Sequence, residues 1–370
     1  MEPTLVSRRD PPPLPRGGES PSFSERPALT AGVIIGGHYV LERLLGSGGM
    51  GEVWAAEDAR TELRVALKIL LPHTARVSEI VARFEREALL LGRVQSDRAP
   101  HLLEYLVDDV YGPVLVTELV DGQTLADVIK VPLSVEQAVE LGVDLADALT
   151  ELHRASIVHR DLKPSNVILR RGPDGQTRAV IVDFGISRLV REASDERAVD
   201  VAEITTGDVV LGTVEYMAPE QILSCGEVAA SADLYALGAL LFRAITGGHV
   251  FGPVVDRLEL VRKKLTAEAP PLPTGRQDPI ARELARVIAR ALERNPSRRY
   301  QSAADLRADL GRVRELQSAA ARRPATARPR RRVLAAITAV AFLAGIIVCS
   351  RFGHTQPTAS SRAPRPIAAE

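Results

Sequence analysis

Four short strings of residues combine types and spacings suited to chemistry on a phosphorylated ligand. The first, Leu45-Gly46-Ser47-Gly48-Gly49-Met50-Gly51-Glu52-Val53, has glycines at 46, 48 and 51. That G-x-G-x-x-G spacing lets backbone N–H groups approach phosphates with no Cβ in the way. The same spacing serves dinucleotide sites, where the glycines open a helix. Here Val53-Trp54-Ala55-Ala56-Glu57 and a further β-type run follow, so a strand–turn–strand hairpin is expected. The second string, Val65-Ala66-Leu67-Lys68, reads alone as a strand ending in a surface lysine. Residues 33–318, however, hold only five lysines, and two of them fall inside these strings. The third is His159-Arg160-Asp161-Leu162-Lys163-Pro164-Ser165-Asn166 and the fourth Val182-Asp183-Phe184-Gly185. Either could be an ordinary polar loop. Together, with Asp161 and Asp183 22 residues apart, they deliver two acids and an amide to one cleft, as holding a Mg²⁺-nucleotide and orienting a hydroxyl requires.

The elements that must position these residues follow from pattern. Runs at 167–169 and 179–182 flank the turn signal Gly172-Pro173-Asp174-Gly175 and predict a hairpin between the last two strings. Upstream, β-type runs at 39–45, 53–57, 65–70 and 114–119 alternate with one helical stretch near 77–92. Downstream the pattern turns helical. Ser134 with Gln137 three residues on forms a capping box before apolar residues at 138, 141, 145, 149 and 152. Further helices are expected at 232–246, 279–293 and 302–316, the last two separated by Asn295-Pro296. A strand-rich lobe followed by a helix-rich lobe reads as α+β.

Composition bounds the remaining choices. The chain has 370 residues, 45% hydrophobic and 25% charged, which excludes wholesale disorder. Two cysteines, Cys225 and Cys349, cannot build a disulfide framework or a Cys-rich zinc site. The formal net charge of zero is uneven: residues 33–318 carry 34 basic and 42 acidic side chains, which argues against a nucleic-acid-binding body. Residues 1–32 hold seven prolines and no apolar period, so they read as an extended leader without a secretory signal. An Arg-rich linker at 319–332 precedes 18 uncharged residues, 333–350. At about 1.5 Å per residue these reach roughly 27 Å, enough to cross a thin bilayer core. A buried helix of a soluble domain is the alternative, but only the 20 polar residues 351–370 follow to bury it. Six arginines before the span and three after it place the N-terminal part in the cytoplasm by the positive-inside rule.

Residues of about 38–315 resemble the eukaryotic-type (Hanks-type) protein serine/threonine kinases, as found in the bacterial membrane-anchored class. The family's motifs occur in its order: the Gly-rich loop 45–53, V-A-x-K at 65–68, H-R-D-L-K-P-x-N at 159–166, D-F-G at 183–185 and A-P-E at 218–220. The resemblance implies a bilobal fold, a β-rich N-terminal lobe and a helical C-terminal lobe, with a single transmembrane helix after it. It implies ATP and Mg²⁺ as ligands and Ser/Thr side chains of proteins as acceptors. Carried over, Lys68 grips the α/β-phosphates and pairs with Glu87, with Glu85 as competitor. Asp161 accepts the acceptor's proton, Lys163 neutralises charge on the transferred group, and Asn166 and Asp183 hold Mg²⁺. The adenine lies between Val53 and Ala66 above and Ile168 below, against the main chain of 118–120 (Glu118, Val120), with Thr117 at the gatekeeper position. Glu220 pairs with Arg299, or alternatively Arg298, and Asp233 bonds the catalytic-loop backbone.

The same resemblance suggests a switch. Arg160 would receive a phosphate on Thr205 or Thr206, ordering the segment between Asp183 and Glu220, while Thr213 ties the acceptor-binding loop to Asp161 and Lys163. Two plain loop threonines are the alternative. With only 351–370 beyond the span, no sensor domain is expected. The anchor would instead concentrate the kinase on the inner membrane and favour trans-autophosphorylation in a homodimer. A catalytically silent scaffold is disfavoured because Lys68, Asp161, Asn166 and Asp183 are all present. A small-molecule phosphotransferase is disfavoured by the complete acceptor loop 212–220.

Overall fold

The computed structural model describes residues 26–49, 51–183, 214–223, 229–253, 256–273 and 278–322. The chain divides into two units, Met1–Ser318 and Ala319–Glu370. The expected transmembrane span, 333–350, lies outside the described residues, as do Met50, Phe184, Gly185, Thr205, Thr206 and Thr213. Among the described residues no helix is long and apolar enough to cross a membrane.

The first unit begins with a six-stranded antiparallel sheet in the order β1-β2-β3-β4-β6-β5. Its strands are β1 (Ile34–Ile35), β2 (Tyr39–Ser47), β3 (Gly51–Asp58), β4 (Leu63–Leu70), β5 (Leu102–Asp108) and β6 (Gly112–Glu118). Helix α1 (Ser78–Leu91) crosses over between β4 and β5. One face of the sheet buries Leu41, Trp54, Leu67, Ile69, Val114 and Val116 in a separate apolar cluster. The glycine-rich string is the β2–β3 hairpin. Gly48 N–H donates to the Gly51 carbonyl across it at 2.9 Å. A Cβ at Gly51 would lie 2.5 Å from the Ile69 carbonyl oxygen of β4, so glycine is required there by close strand approach.

The helical lobe is built on α3 (Val135–Arg154) and α5 (Ser231–Thr246), which pack together in the main core. The Ser134–Gln137 capping box forms with both reciprocal hydrogen bonds. Leu141, Leu145, Leu149 and Leu152 are buried, as the spacing requires. Helices α6 (Arg257–Thr266), α7 (Pro279–Ala291) and α8 (Ala303–Arg322) complete the lobe, with short α2 (Leu125–Val128) and α4 (Pro219–Leu223). A small sheet, β7 (Gln123–Thr124), β8 (Val167–Arg171) and β9 (Thr177–Ile181), carries the expected hairpin between the two acidic strings. The architecture is thus the expected α+β bilobal one.

The proline-rich leader ends earlier than composition suggested. Arg26 donates to the Tyr111 carbonyl at 2.7 Å and to the Leu70 carbonyl, and Leu29 packs on the sheet's apolar cluster. Residues 26–32 therefore belong to the first lobe's fold.

Candidate active site

Strand register brings the first two strings together. Val53 on β3 stands opposite Lys68 on β4, and Ala66 stands opposite Thr117 on β6. Because side chains alternate along a strand, Ala66 and Lys68 share one face. The Lys68 ammonium donates to Glu87 of α1 at 2.8 and 3.0 Å and to Asp183 at 2.7 Å. Glu85, the competing acid, instead accepts from the Tyr105 hydroxyl at 3.4 Å. Burial disfavours charge on Lys68, but the attraction of Asp183 and Glu87 outweighs it and holds its pKa above the ordinary lysine value. Lys68 likewise keeps Asp183 below the usual carboxylate range. Glu87 is 4% exposed, and there burial wins over Lys68 and moves the carboxyl upward.

Below this triad lies the 159–166 loop. Lys163 donates to the Asp161 carboxylate at 2.9 Å. The Asn166 amide nitrogen donates to the Asp161 carbonyl at 2.9 Å and to its carboxylate at 3.2 Å. With its nitrogen so engaged, Asn166 offers an amide oxygen, which accepts a long bond from the Ser165 hydroxyl at 3.3 Å and keeps a lone pair, and the Asp183 side chain is 47% exposed. One hard carboxylate and one hard amide oxygen fit Mg²⁺, whose remaining positions phosphate oxygens and water would fill. No group of three or more His, Cys, Asp or Glu side chains suited to a metal is found among the described residues.

The loop holds an unfavourable backbone shape. Arg160 (φ +64°) and Asp183 (φ +59°) both lie in the left-handed region, where a non-glycine residue persists only under strong local restraint. Asp233, 1% exposed at the start of α5, supplies it. Its carboxylate accepts from the backbone N–H groups of His159 and Arg160, both at 2.8 Å, and from His153 Nε2 at 2.8 Å. Burial disfavours that charge, but these hydrogen bonds prevail and hold the Asp233 pKa low. Gln221 closes the restraint, donating to the Arg160 carbonyl at 2.8 Å.

Glu220 pairs with Arg299 rather than Arg298, through two bonds of 2.6 and 2.8 Å. Ile168 on β8 pairs with Thr124 of β7. Four contributors escaped sequence reasoning. Arg170 reaches the Glu118 carboxylate at 3.0 Å and the Asp97 carbonyl at 2.6 Å, and His101 Nδ1 meets Glu118 at 3.0 Å. His153 and Gln221 act on the loop as described. Only Arg170 had a local signal, sharing a strand face with Ile168 two residues earlier.

The protein kinase domain family matches residues 39–309. The serine/threonine-protein kinase PknB of Mycolicibacterium smegmatis is 35% identical over 315 residues, covering 80% of this chain and 46% of that protein. The serine/threonine-protein kinase PknA of Mycobacterium tuberculosis is 35% identical over 277 residues, covering 73% and 60%. The chain therefore spans between about half and three fifths of these curated relatives. Among solved structures, the PknI kinase domain of Mycobacterium tuberculosis aligns with a TM-score of 0.55 at 26% identity, over 77% of this chain and all of that one. With the lysine–glutamate–aspartate triad and the Asp161 loop facing one cleft, the chain belongs to the protein kinase family and is similar to its bacterial serine/threonine members.

Proposed function

We propose that this chain is an ATP- and Mg²⁺-dependent protein serine/threonine kinase. The observation that carries the proposal is Lys68 bridging Glu87 and Asp183 in the cleft that also holds the Asp161–Lys163–Asn166 constellation. In use, the glycine hairpin at Leu45, Gly46, Ser47, Gly48, Gly49, Gly51 and Glu52 covers the phosphates, and Lys68 grips them from β4. Val53, Ala66 and Ile168 enclose the adenine against the main chain of Glu118 and Val120. Asp161 takes the proton of the acceptor hydroxyl as its oxygen bonds to the γ-phosphorus and the bond to the β–γ bridging oxygen breaks, leaving ADP. Lys163 offsets charge on the moving phosphoryl group. Mg²⁺, held by Asn166 and Asp183, would neutralise the phosphate charge.

The regulatory proposal is phosphorylation of Thr205 or Thr206, with Arg160 receiving the phosphate and Thr213 tying the acceptor loop to the catalytic loop. A membrane span at 333–350, a cytoplasmic kinase domain at 26–318 and trans-autophosphorylation between copies on the inner membrane complete the reading. The test is incubation of the full chain with γ-labelled ATP, with Mg²⁺ or with excess chelator, followed by phosphosite mapping. Chelator-sensitive label on Thr205 or Thr206, lost in the double alanine variant together with most activity toward added protein, is expected. Mg²⁺-independent label would refute the metal assignment. Full activity of the double alanine variant would refute the switch.

A further inference from the structure

Lysine at position 264 sits where an apolar residue would be expected. Helix α6 and the segment 214–222 meet through Val214, Met217, Ile222, Leu260 and Val261, a buried apolar cluster. Lys264, 1% exposed, is on the same helix and equally covered. Its Nζ donates to the Met217 carbonyl at 2.8 Å and to the Tyr235 hydroxyl at 3.4 Å, and lies 4.9 Å from the Tyr235 ring centroid. Among the described residues it makes no ion pair. The two nearby acids are taken: Glu215 by His249 at 3.0 Å and Glu220 by Arg299 at 2.6 Å.

Burying an unpaired ammonium is unfavourable, so the residue is present for what it holds. Met217 is itself buried and lines the narrow recess shared with Arg160, Asp161 and Leu162. We propose that Lys264 is a positioning residue for the protein acceptor, fixing residues 214–220 through the Met217 carbonyl and so setting the surface that the acceptor chain meets beside Asp161. The proposal rests on the kinase reading, in which this segment binds the acceptor.

The charges around Lys264 make the hold sensitive to pH. Burial depresses its pKa, Glu215 raises it, Arg299 lowers it and Glu220 raises it, with the balance at about 7. Tyr235, pushed upward by burial, stays protonated throughout. From α6 itself the charged neighbour Lys263 is paired with Glu259, and Arg294 caps the Leu265 and Thr266 carbonyls. Toward acid the ammonium makes a charge-assisted bond to Met217. Toward alkaline pH the amine makes a weaker neutral one.

The test compares the full-length wild type, Lys264→Met and Lys264→Gln, with myelin basic protein as acceptor, reading KM for acceptor and KM for ATP separately at pH 6 and 8.5. Lys264→Met should raise the acceptor KM about tenfold at pH 6 and about threefold at pH 8.5, with KM for ATP within twofold of wild type. Lys264→Gln keeps a neutral donor. It should match wild type at pH 8.5 and lose the acid-side advantage. An acceptor KM equal to wild type in Lys264→Met, or KM values for ATP and acceptor rising in parallel, would overturn the proposal. If Lys264→Met does not fold, Lys264→Gln decides: a pH dependence identical to wild type overturns it. A wild type that phosphorylates no protein at all removes the kinase reading beneath it, an outcome distinct from an active wild type with silent variants.

Discussion

Replacing the buried Arg299 by methionine should destabilise the helical lobe markedly. The guanidinium is fully buried and makes five hydrogen bonds. Two go to Glu220, at 2.6 and 2.8 Å, and three to the carbonyls of Glu293 (2.6 Å), Ser231 (3.2 Å) and Arg294 (3.0 Å). Its face also lies 4.9 Å from the Tyr235 ring centroid. Methionine fills similar volume but donates nothing, stranding a carboxylate whose side chain is only 17% exposed. Breaking one side of a buried pair costs about 3–5 kcal/mol. For a domain of this size that is a fall in melting temperature of about 5–8 °C. Glu220→Gln, which keeps an acceptor oxygen, should cost less, about 1–2 kcal/mol. Denaturant titration of wild type, both single variants and the double variant gives the coupling directly. The double variant should lose clearly less than the sum of the singles. Additive losses, or an Arg299→Met loss under about 1 kcal/mol, would refute the idea that this pair latches residues 218–220 to the lobe.

Three smaller changes probe other contacts. Arg170→Ala frees the Glu118 carboxylate at the end of β6, where the proposed reading seats the adenine. Because the pair is partly exposed, the expected effect is about a two- to fivefold rise in KM for ATP, with the acceptor KM unchanged in steady-state assays. Arg26→Ala removes the tie from 26–32 to β4 and the β5–β6 turn, and urea denaturation should report a loss of about 1–3 kcal/mol. Lys264→Met should change stability with a definite sign. The folded pKa of about 7 lies below the ordinary 10.5, so burial of the charge destabilises fully below about pH 7 and not at all above 10.5. That gap is worth up to about 5 kcal/mol. The variant's advantage in thermal melts should therefore be greatest near pH 6 and shrink as pH rises, while an advantage that grows with pH would contradict the burial assignment.

What the sequence conveyed, and what it did not, divides by the range of the interaction. The glycine hairpin, the Ser134 capping box and the β8–β9 turn are local signals, each written within ten residues, and all form. The pairing of Lys68 with Glu87 came from family resemblance, and the structure brings those side chains together. Strand β5 was missed because its residues alternate poorly, with Leu103 half exposed and Glu104 held by Tyr39. Helix α6, Arg-Leu-Glu-Leu-Val-Arg-Lys-Lys-Leu-Thr, reads as a charged surface segment, and nothing local marks Lys264 as buried. Arg26 and Arg170 find partners 44 to 85 residues away, a separation no window along the chain can span. Composition also misplaced the end of the leader, since a proline-rich stretch gives no hint that its final residues are anchored by one guanidinium.

The most direct measurement is transfer of phosphate from ATP to protein serine or threonine by the full chain, beside Asp161→Asn. Asn keeps the shape of the loop and can still accept from Lys163 and Asn166, but it cannot take the acceptor's proton. Phosphoserine or phosphothreonine should form with the wild type and fall by at least about 10²-fold in Asp161→Asn, with nucleotide binding retained. Equal phosphorylation by the two proteins would contradict the assignment of Asp161 and, with it, the catalytic reading of the whole cleft.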